Sequence, residues 1–189
     1  MRIIAGIRKG MLIKTIEGES TRPTRDMVRE ALFSILTNEI NNSKFLDLFA
    51  GSGGIGIEAL SRGANGAVFV DNNKKAVDII NSNLAFTKLA DKALVINSDA
   101  NMAIGVCERQ NKKFDIVFMD PPYNKEYEKQ VLKRIANSSI ISEDTLIIVE
   151  ASLETNFSYV TELGMNIRKE KLYKTNKHVF LELSQNTER

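Results

Sequence analysis

Short apolar runs at regular intervals constrain the fold more than any other feature of this chain. Five of them occupy residues 45–49, 67–70, 93–96, 116–119 and 146–149. Each run is near-continuous rather than alternating, which is typical of strands buried on both faces of a parallel sheet. Because helical patterns of apolar residues lie between the runs, the order of elements predicts a doubly wound α/β sheet.

The two ends of the chain carry different patterns. Residues 2–22 predict short strands and turns, followed by a helix with Thr24 as its N-cap. Near the other end, residues 166–173 and 177–183 predict two strands joined by a short turn, which indicates an antiparallel hairpin. We therefore expect a basic hairpin-and-helix extension over residues 1–42 and an α/β domain over residues 43–189.

Positive charge is concentrated in the first part of the chain. Residues 1–25 hold six Lys or Arg against two Asp or Glu, a net of +4 in a chain whose net charge is +2. A local basic module on a near-neutral body suits a polyanionic partner.

Several classes of function are excluded by residue counts. Cys107 is the only cysteine and His178 the only histidine, which excludes an intrachain disulfide and argues strongly against a Ser/His/Asp triad, a Cys/His dyad and a His/Cys zinc site. No apolar run approaches the ~20 residues that span a bilayer, and the first residues do not form a signal-peptide core. We expect a cytoplasmic protein without metal.

A glycine-rich turn follows the first buried strand, in residues 47–56. A phosphate-binding loop is excluded because Ile57 and Glu58 stand where Lys and Ser or Thr are needed. Gly51, Gly53 and Gly56 do satisfy the spacing of a dinucleotide-binding fingerprint.

Asp47 favours a different ligand for this turn. A carboxylate at the strand end would repel a pyrophosphate but attract the sulfonium and ammonium groups of S-adenosylmethionine. We prefer that cofactor, and the dinucleotide and a purely structural turn remain alternatives.

Two further acids follow the next two strands. Asp71 is expected to accept hydrogen bonds from both ribose hydroxyl groups, and Asp99 is expected to accept one from the adenine amino group. Either residue could instead cap a helix. The expected cofactor-binding residues are Asp47, Phe49, Ala50, Gly51, Ser52, Gly53, Gly56, Asp71, Asn72, Asp99 and Ala100.

The fourth strand runs directly into Asp120-Pro121-Pro122-Tyr123, the predicted catalytic residues. The two prolines remove backbone donors, so the turn offers acceptors: the Asp120 carboxylate and the Pro121 carbonyl. A planar exocyclic amine has two hydrogens to donate and a face that Tyr123 can stack against. Holding those hydrogens can aim the nitrogen lone pair at a methyl group by orientation and electrostatics.

The chain resembles the bacterial 16S ribosomal RNA guanine-N2 methyltransferases, often called the RsmD family. The matching segments are 2–6, 22–24, 26, 28–33, 46–53, 56–64, 69–70, 83–84, 114–115 and 120–123. Asp71 stands where the family more often has Glu, and residues 174–177 lack the family's usual Gly near Tyr173.

The resemblance implies a seven-stranded class I methyltransferase sheet with one antiparallel strand. It also implies methyl transfer from S-adenosylmethionine to the N2 amine of one guanine in the small ribosomal subunit. The residues expected to bind RNA are Arg2, Arg8, Lys9, Arg22 and Arg25, and we expect a monomer.

Other functions remain open on the sequence alone. The tetrapeptide is similar to the Asn-Pro-Pro-Tyr of adenine-N6 DNA methyltransferases and glutamine-N5 protein methyltransferases. DNA enzymes usually need a separate recognition domain, and the protein enzymes carry Asn where this chain has Asp120. A ribosome assembly factor with an inactive methyltransferase fold would be expected to have a damaged loop or tetrapeptide, and both are intact.

Overall fold

The computed structural model describes residues 1–16, 23–122 and 126–184. The chain divides into two compact units, Met1–Ala100 and Asn101–Arg189. The helices are α1 (Pro23–Ile35), α2 (Gly54–Ser61), α3 (Lys74–Thr87), α4 (Ala100–Arg109) and α5 (Tyr127–Ala136). The strands are β1 (Lys44–Asp47), β2 (Gly66–Asp71), β3 (Ala93–Asn97), β4 (Ile116–Met119), β5 (Leu146–Ser152), β6 (Met165–Leu172) and β7 (Asn176–Leu183).

The predicted sheet is confirmed. In the described part of the chain the seven strands lie in the order β3-β2-β1-β4-β5-β7-β6. β1 pairs in parallel with β2, β2 with β3, and β4 with β5. β7 runs antiparallel to both β5 and β6, so the C-terminal hairpin is also confirmed.

Two local predictions are wrong. β3 is only partly buried, because it lies at the edge of the sheet and has one strand neighbour. The first helix begins at Pro23, so Thr24 lies inside it rather than capping it. Proline suits the first helical position because its φ is already helical and its missing N–H has no partner there.

The first unit holds its N-terminal residues against α2. Arg2 and Leu12 form an antiparallel bridge, and a short 3-10 helix spans Gly6–Arg8. Gly6 has φ +81°, and a Cβ there would lie 1.8 Å from the carbonyl oxygen of Ser61 on α2. The domain boundary after residue 42 stays a prediction.

Candidate functional site

The glycine turn between β1 and α2 is open on one side and tightly packed on the other. Gly51 has φ +54°, and a Cβ there would have nothing within 4 Å, so a ligand can approach the main chain at this residue. A Cβ on Gly56 would instead lie 2.3 Å from the ring of Phe69 on β2. Gly56 therefore sets how closely α2 packs on the sheet.

Asp47 is buried beneath this turn. Asp47 is only 1% exposed, and its Oδ2 accepts a hydrogen bond from the Gly56 N–H at 3.2 Å. Burial raises the pKa of Asp47 to about 7; the Gly56 hydrogen bond opposes this, and the nearby Asp71 carboxylate adds to it. A cationic ligand would offset the free-energy cost of ionising this buried carboxyl group, so Asp47 fits the positively charged S-adenosylmethionine.

Asp71 connects the turn to the start of α3. Its two carboxylate oxygens accept hydrogen bonds from the N–H groups of Gly51 and Asn73, both at 2.8 Å. The N-cap of α3 is Asn73, whose side chain accepts from Lys75 N at 3.0 Å, so Asp71 is not the cap. Each carboxylate oxygen has a second lone pair, which leaves Asp71 able to accept from a ribose.

The remaining predicted cofactor residues lie in the first unit with different exposures. Ala50, Ser52 and Ala100 are buried, Phe49 is half-buried, and Asn72 and Asp99 are exposed. The Ser52 carbonyl accepts from the buried Asn83 side chain at 2.9 Å, which fixes the turn to α3. Asp99 directly precedes α4, so the adenine-binding and helix-capping interpretations both stay open for it.

Sequence reasoning missed the structural importance of Glu58. It is 1% exposed on α2, and its carboxylate accepts from Ile4 N at 2.8 Å, Ala5 N at 3.0 Å and Arg62 Nε at 2.8 Å. The guanidinium of Arg29 lies 4.0 Å away. A lone charge inside the apolar stretch 55–60 was the available signal.

The predicted catalytic segment lies in the second unit. β4 is buried along its whole length, whereas Asp120, the residue that follows it, is exposed. Pro121 is buried and Pro122 is exposed, while Tyr123 lies outside the described residues. A carboxylate is therefore presented at the end of a core strand, as the predicted role requires.

The structure describes the side chains of three of the five residues expected to bind RNA. Arg2 and Lys9 are exposed, and Arg2 Nη1 donates to the Gly10 carbonyl at 3.1 Å. Arg8 is half-buried and its Nη2 donates to the Lys88 carbonyl at 3.4 Å. Arg22 and the side chain of Arg25 lie outside the described part of the structure.

Neither a metal cluster nor a membrane helix occurs in the part of the chain that is described. No three or more His, Cys, Asp or Glu side chains group there as metal ligands. No helix in the same ranges is long and apolar enough to span a bilayer.

The strand order and the glycine turn define a class I, Rossmann-like methyltransferase fold. A solved structure of yhhF from Escherichia coli has this fold, with a TM-score of 0.83 and 30% identity over 97% of this chain and 98% of that one. The family model described as "Conserved hypothetical protein 95" matches residues 1–182.

Relatives agree with that match. YlbH from Bacillus subtilis is 40% identical over 154 residues, which cover 82% of this chain and 84% of YlbH. Ribosomal RNA small subunit methyltransferase D from Haemophilus influenzae is 32% identical over 171 residues, covering 90% and 88%. The chain belongs to the RsmD family of methyltransferases, as its motifs predicted. S-adenosylmethionine is the cofactor of this class of methyltransferase.

Proposed function

We propose that this protein transfers a methyl group from S-adenosylmethionine to the N2 amine of a guanine in 16S ribosomal RNA. The observation that carries the proposal is the exposed Asp120 carboxylate at the end of a fully buried strand, followed by two prolines. The relatives named ribosomal RNA small subunit methyltransferase D support the choice of RNA. The substrate would be the small subunit, and the enzyme a cytoplasmic monomer.

Residues of the first unit would hold the cofactor. The Gly51 main chain faces open space, Asp47 supplies a buried negative charge, and Asp71 retains lone pairs for a ribose. When bound, S-adenosylmethionine supplies an electrophilic methyl group on a sulfonium. The buried Asp47 carboxylate would balance the positive charge of this ligand.

Asp120 and the Pro121 carbonyl would hold the two hydrogens of the guanine amine. Both prolines lack N–H donors, so this turn presents acceptors to the amine. Their work is orientation, because the amine lone pair is delocalised into the ring until its hydrogens are held out of plane. The guanine must leave its stack to reach such acceptors.

The N-terminal basic residues would contact phosphates and place the target. Arg2 and Lys9 are exposed on the module that packs on α2. Because Glu58 of α2 holds Ile4 and Ala5 by their main chain, the module is anchored to the helix that follows the glycine turn.

The test is mass spectrometry of small-subunit RNA from cells lacking the gene. We expect one N2-methylguanosine to disappear, to return with the parent gene, and to stay absent with an Asp120→Ala gene. Asp144→Ala, an exposed acid on the loop before β5, is the matched control and should restore the modification. Unchanged nucleosides in the deletion strain would contradict the proposed function.

A further inference from the structure

The second unit contains a hydrogen-bonded chain of side chains that the proposed reaction does not yet use. His178 on β7 is 1% exposed, and its Nε2 lies 3.1 Å from Oε2 of Glu150 on β5. Its Nδ1 lies 3.1 Å from the hydroxyl of Tyr173, and the Asn176 amide donates to the other Glu150 oxygen. His178 and Asn176 thus contact the Glu150 carboxylate directly, and Tyr173 is connected to it through the His178 ring.

The direction of these hydrogen bonds follows from Tyr173. Burial and the nearby Glu150 charge raise the pKa of Tyr173 to about 12, so its hydroxyl keeps its proton. When the hydroxyl donates to Nδ1, Nε2 is the ring nitrogen that carries the hydrogen and donates to Glu150. The Phe118 and Phe180 rings pack edge-on against the His178 ring at centroid distances of 6.1 Å and 6.4 Å, which fixes its plane.

The strand register places Glu150 beside the catalytic segment. Met119 pairs with Val149 in the parallel ladder between β4 and β5, so the next residues along are Asp120 and Glu150. Neighbouring strands lie about 4.8 Å apart, and paired residues point to the same face. Ligands of doubly wound sheets bind outside the carboxyl ends of the strands. Asp120 directly follows the end of β4, and Glu150 lies two residues before the end of β5.

We propose that Glu150 accepts the N1–H of the target guanine while Asp120 holds its N2 amine. Guanine presents these two donor groups side by side on one edge. A carboxylate has about four acceptor positions, so Glu150 can accept from a base in addition to His178 and Asn176. His178 and Asn176 are positioning residues, because they act on the base only through Glu150.

This assignment rests on the proposed guanine-N2 function and makes it base-specific. Adenine and 2-aminopurine both carry a lone pair at N1, which would face the Glu150 carboxylate without a hydrogen. A site built to hydrogen-bond a substrate N–H discriminates strongly against an analogue that lacks it. 2-Aminopurine keeps the N2 amine but lacks both the N1 hydrogen and O6, so the comparison with Glu150→Gln is what assigns a preference to N1.

The experiment compares single-turnover methyl transfer to small subunits that carry guanine or 2-aminopurine at the mapped target. For the parent we expect guanine to be preferred by roughly 10²-fold or more. In Glu150→Gln the preference should fall at least tenfold, since an amide can also donate to N1. Glu150→Asp should keep the preference at a reduced rate, and Glu154→Gln, an exposed acid beyond β5, should match the parent.

Each result decides the assignment. A parent that methylates both bases equally would overturn it, whatever the variants do. It would also be overturned if Glu150→Gln lowered the methyl-transfer rates on guanine and on 2-aminopurine by the same factor, with stability and cofactor affinity like those of the parent. An equal loss of this kind is what a purely structural role of Glu150 would produce. A parent inactive on guanine would refute the proposed function itself.

Discussion

Replacing Asp47 by Asn tests whether a buried negative charge lies beneath the glycine turn. The carboxyl pKa rises from 3.8 to about 7 in the folded protein because the group is buried. That rise of roughly three pH units corresponds to about 4 kcal/mol of unfavourable free energy once the group is ionised. Asparagine keeps an oxygen for the Gly56 N–H at 3.2 Å and removes the charge.

The sign of the pH dependence follows from the protons bound. Between pH 3.8 and about 7 the folded protein holds a proton on Asp47 that the unfolded chain has lost. The free energy of unfolding therefore falls as the pH rises through this window and is level above it. Relative to the parent, Asp47→Asn should gain about 3 kcal/mol of stability between pH 5 and pH 8 in the absence of cofactor.

Urea unfolding of both proteins at pH 5 and pH 8 measures this difference. Asp78→Asn is the matched control, because the Asp78 side chain is 61% exposed and pairs only with Lys74 among the described ion pairs. A stability difference between Asp47→Asn and the parent that is equal at the two pH values would refute the reasoning. In the same samples, Asp47→Asn should bind S-adenosylmethionine about 10- to 100-fold more weakly at pH 8, as expected for the loss of a charged partner.

Three other outcomes are expected. Gly56→Ala should lower the free energy of unfolding by about 1–3 kcal/mol in chemical denaturation, because its Cβ would lie 2.3 Å from the Phe69 ring; an unchanged midpoint would contradict the packing. Neutralising Arg2 and Lys9 to Gln should weaken small-subunit binding and make its salt dependence shallower without changing cofactor affinity, and an unchanged salt slope would indicate a solvated charged surface. Chelators should leave methyl transfer unaffected when RNA folding is controlled; activity lost to a chelator and restored by a divalent ion would refute metal independence.

The sheet was predictable because its strands are encoded locally. The apolar runs at 116–119 and 93–96 correspond closely to β4 and β3, and the glycine turn lies between β1 and α2 as expected. What local patterns could not show is position within the sheet. β3 is partly exposed because it is an edge strand, and only the pairing of distant segments determines which strand that is.

The positions of candidate site residues were predictable where they follow a strand directly. Asp47 was expected at the strand end, but its burial and raised pKa depend on the Gly56 N–H and on Asp71 across the turn. The roles of Glu58 and His178 could not be predicted from local patterns. Glu58 contacts Ile4 and Ala5, which lie 54 and 53 residues away along the chain. His178 contacts Glu150, which lies 28 residues away.

The role of Asp120 is tested most directly by pairing a cofactor titration with single-turnover methyl transfer on small subunits. Asp120→Ala should bind S-adenosylmethionine like the parent, because Asp47, Asp71 and the glycine turn are unchanged. Its methyl-transfer rate should fall by ~10²–10³, the usual effect of removing one oriented electrostatic partner. Transfer at the parent rate would contradict the account, since Asp120 would then not be the acceptor that orients the guanine amine.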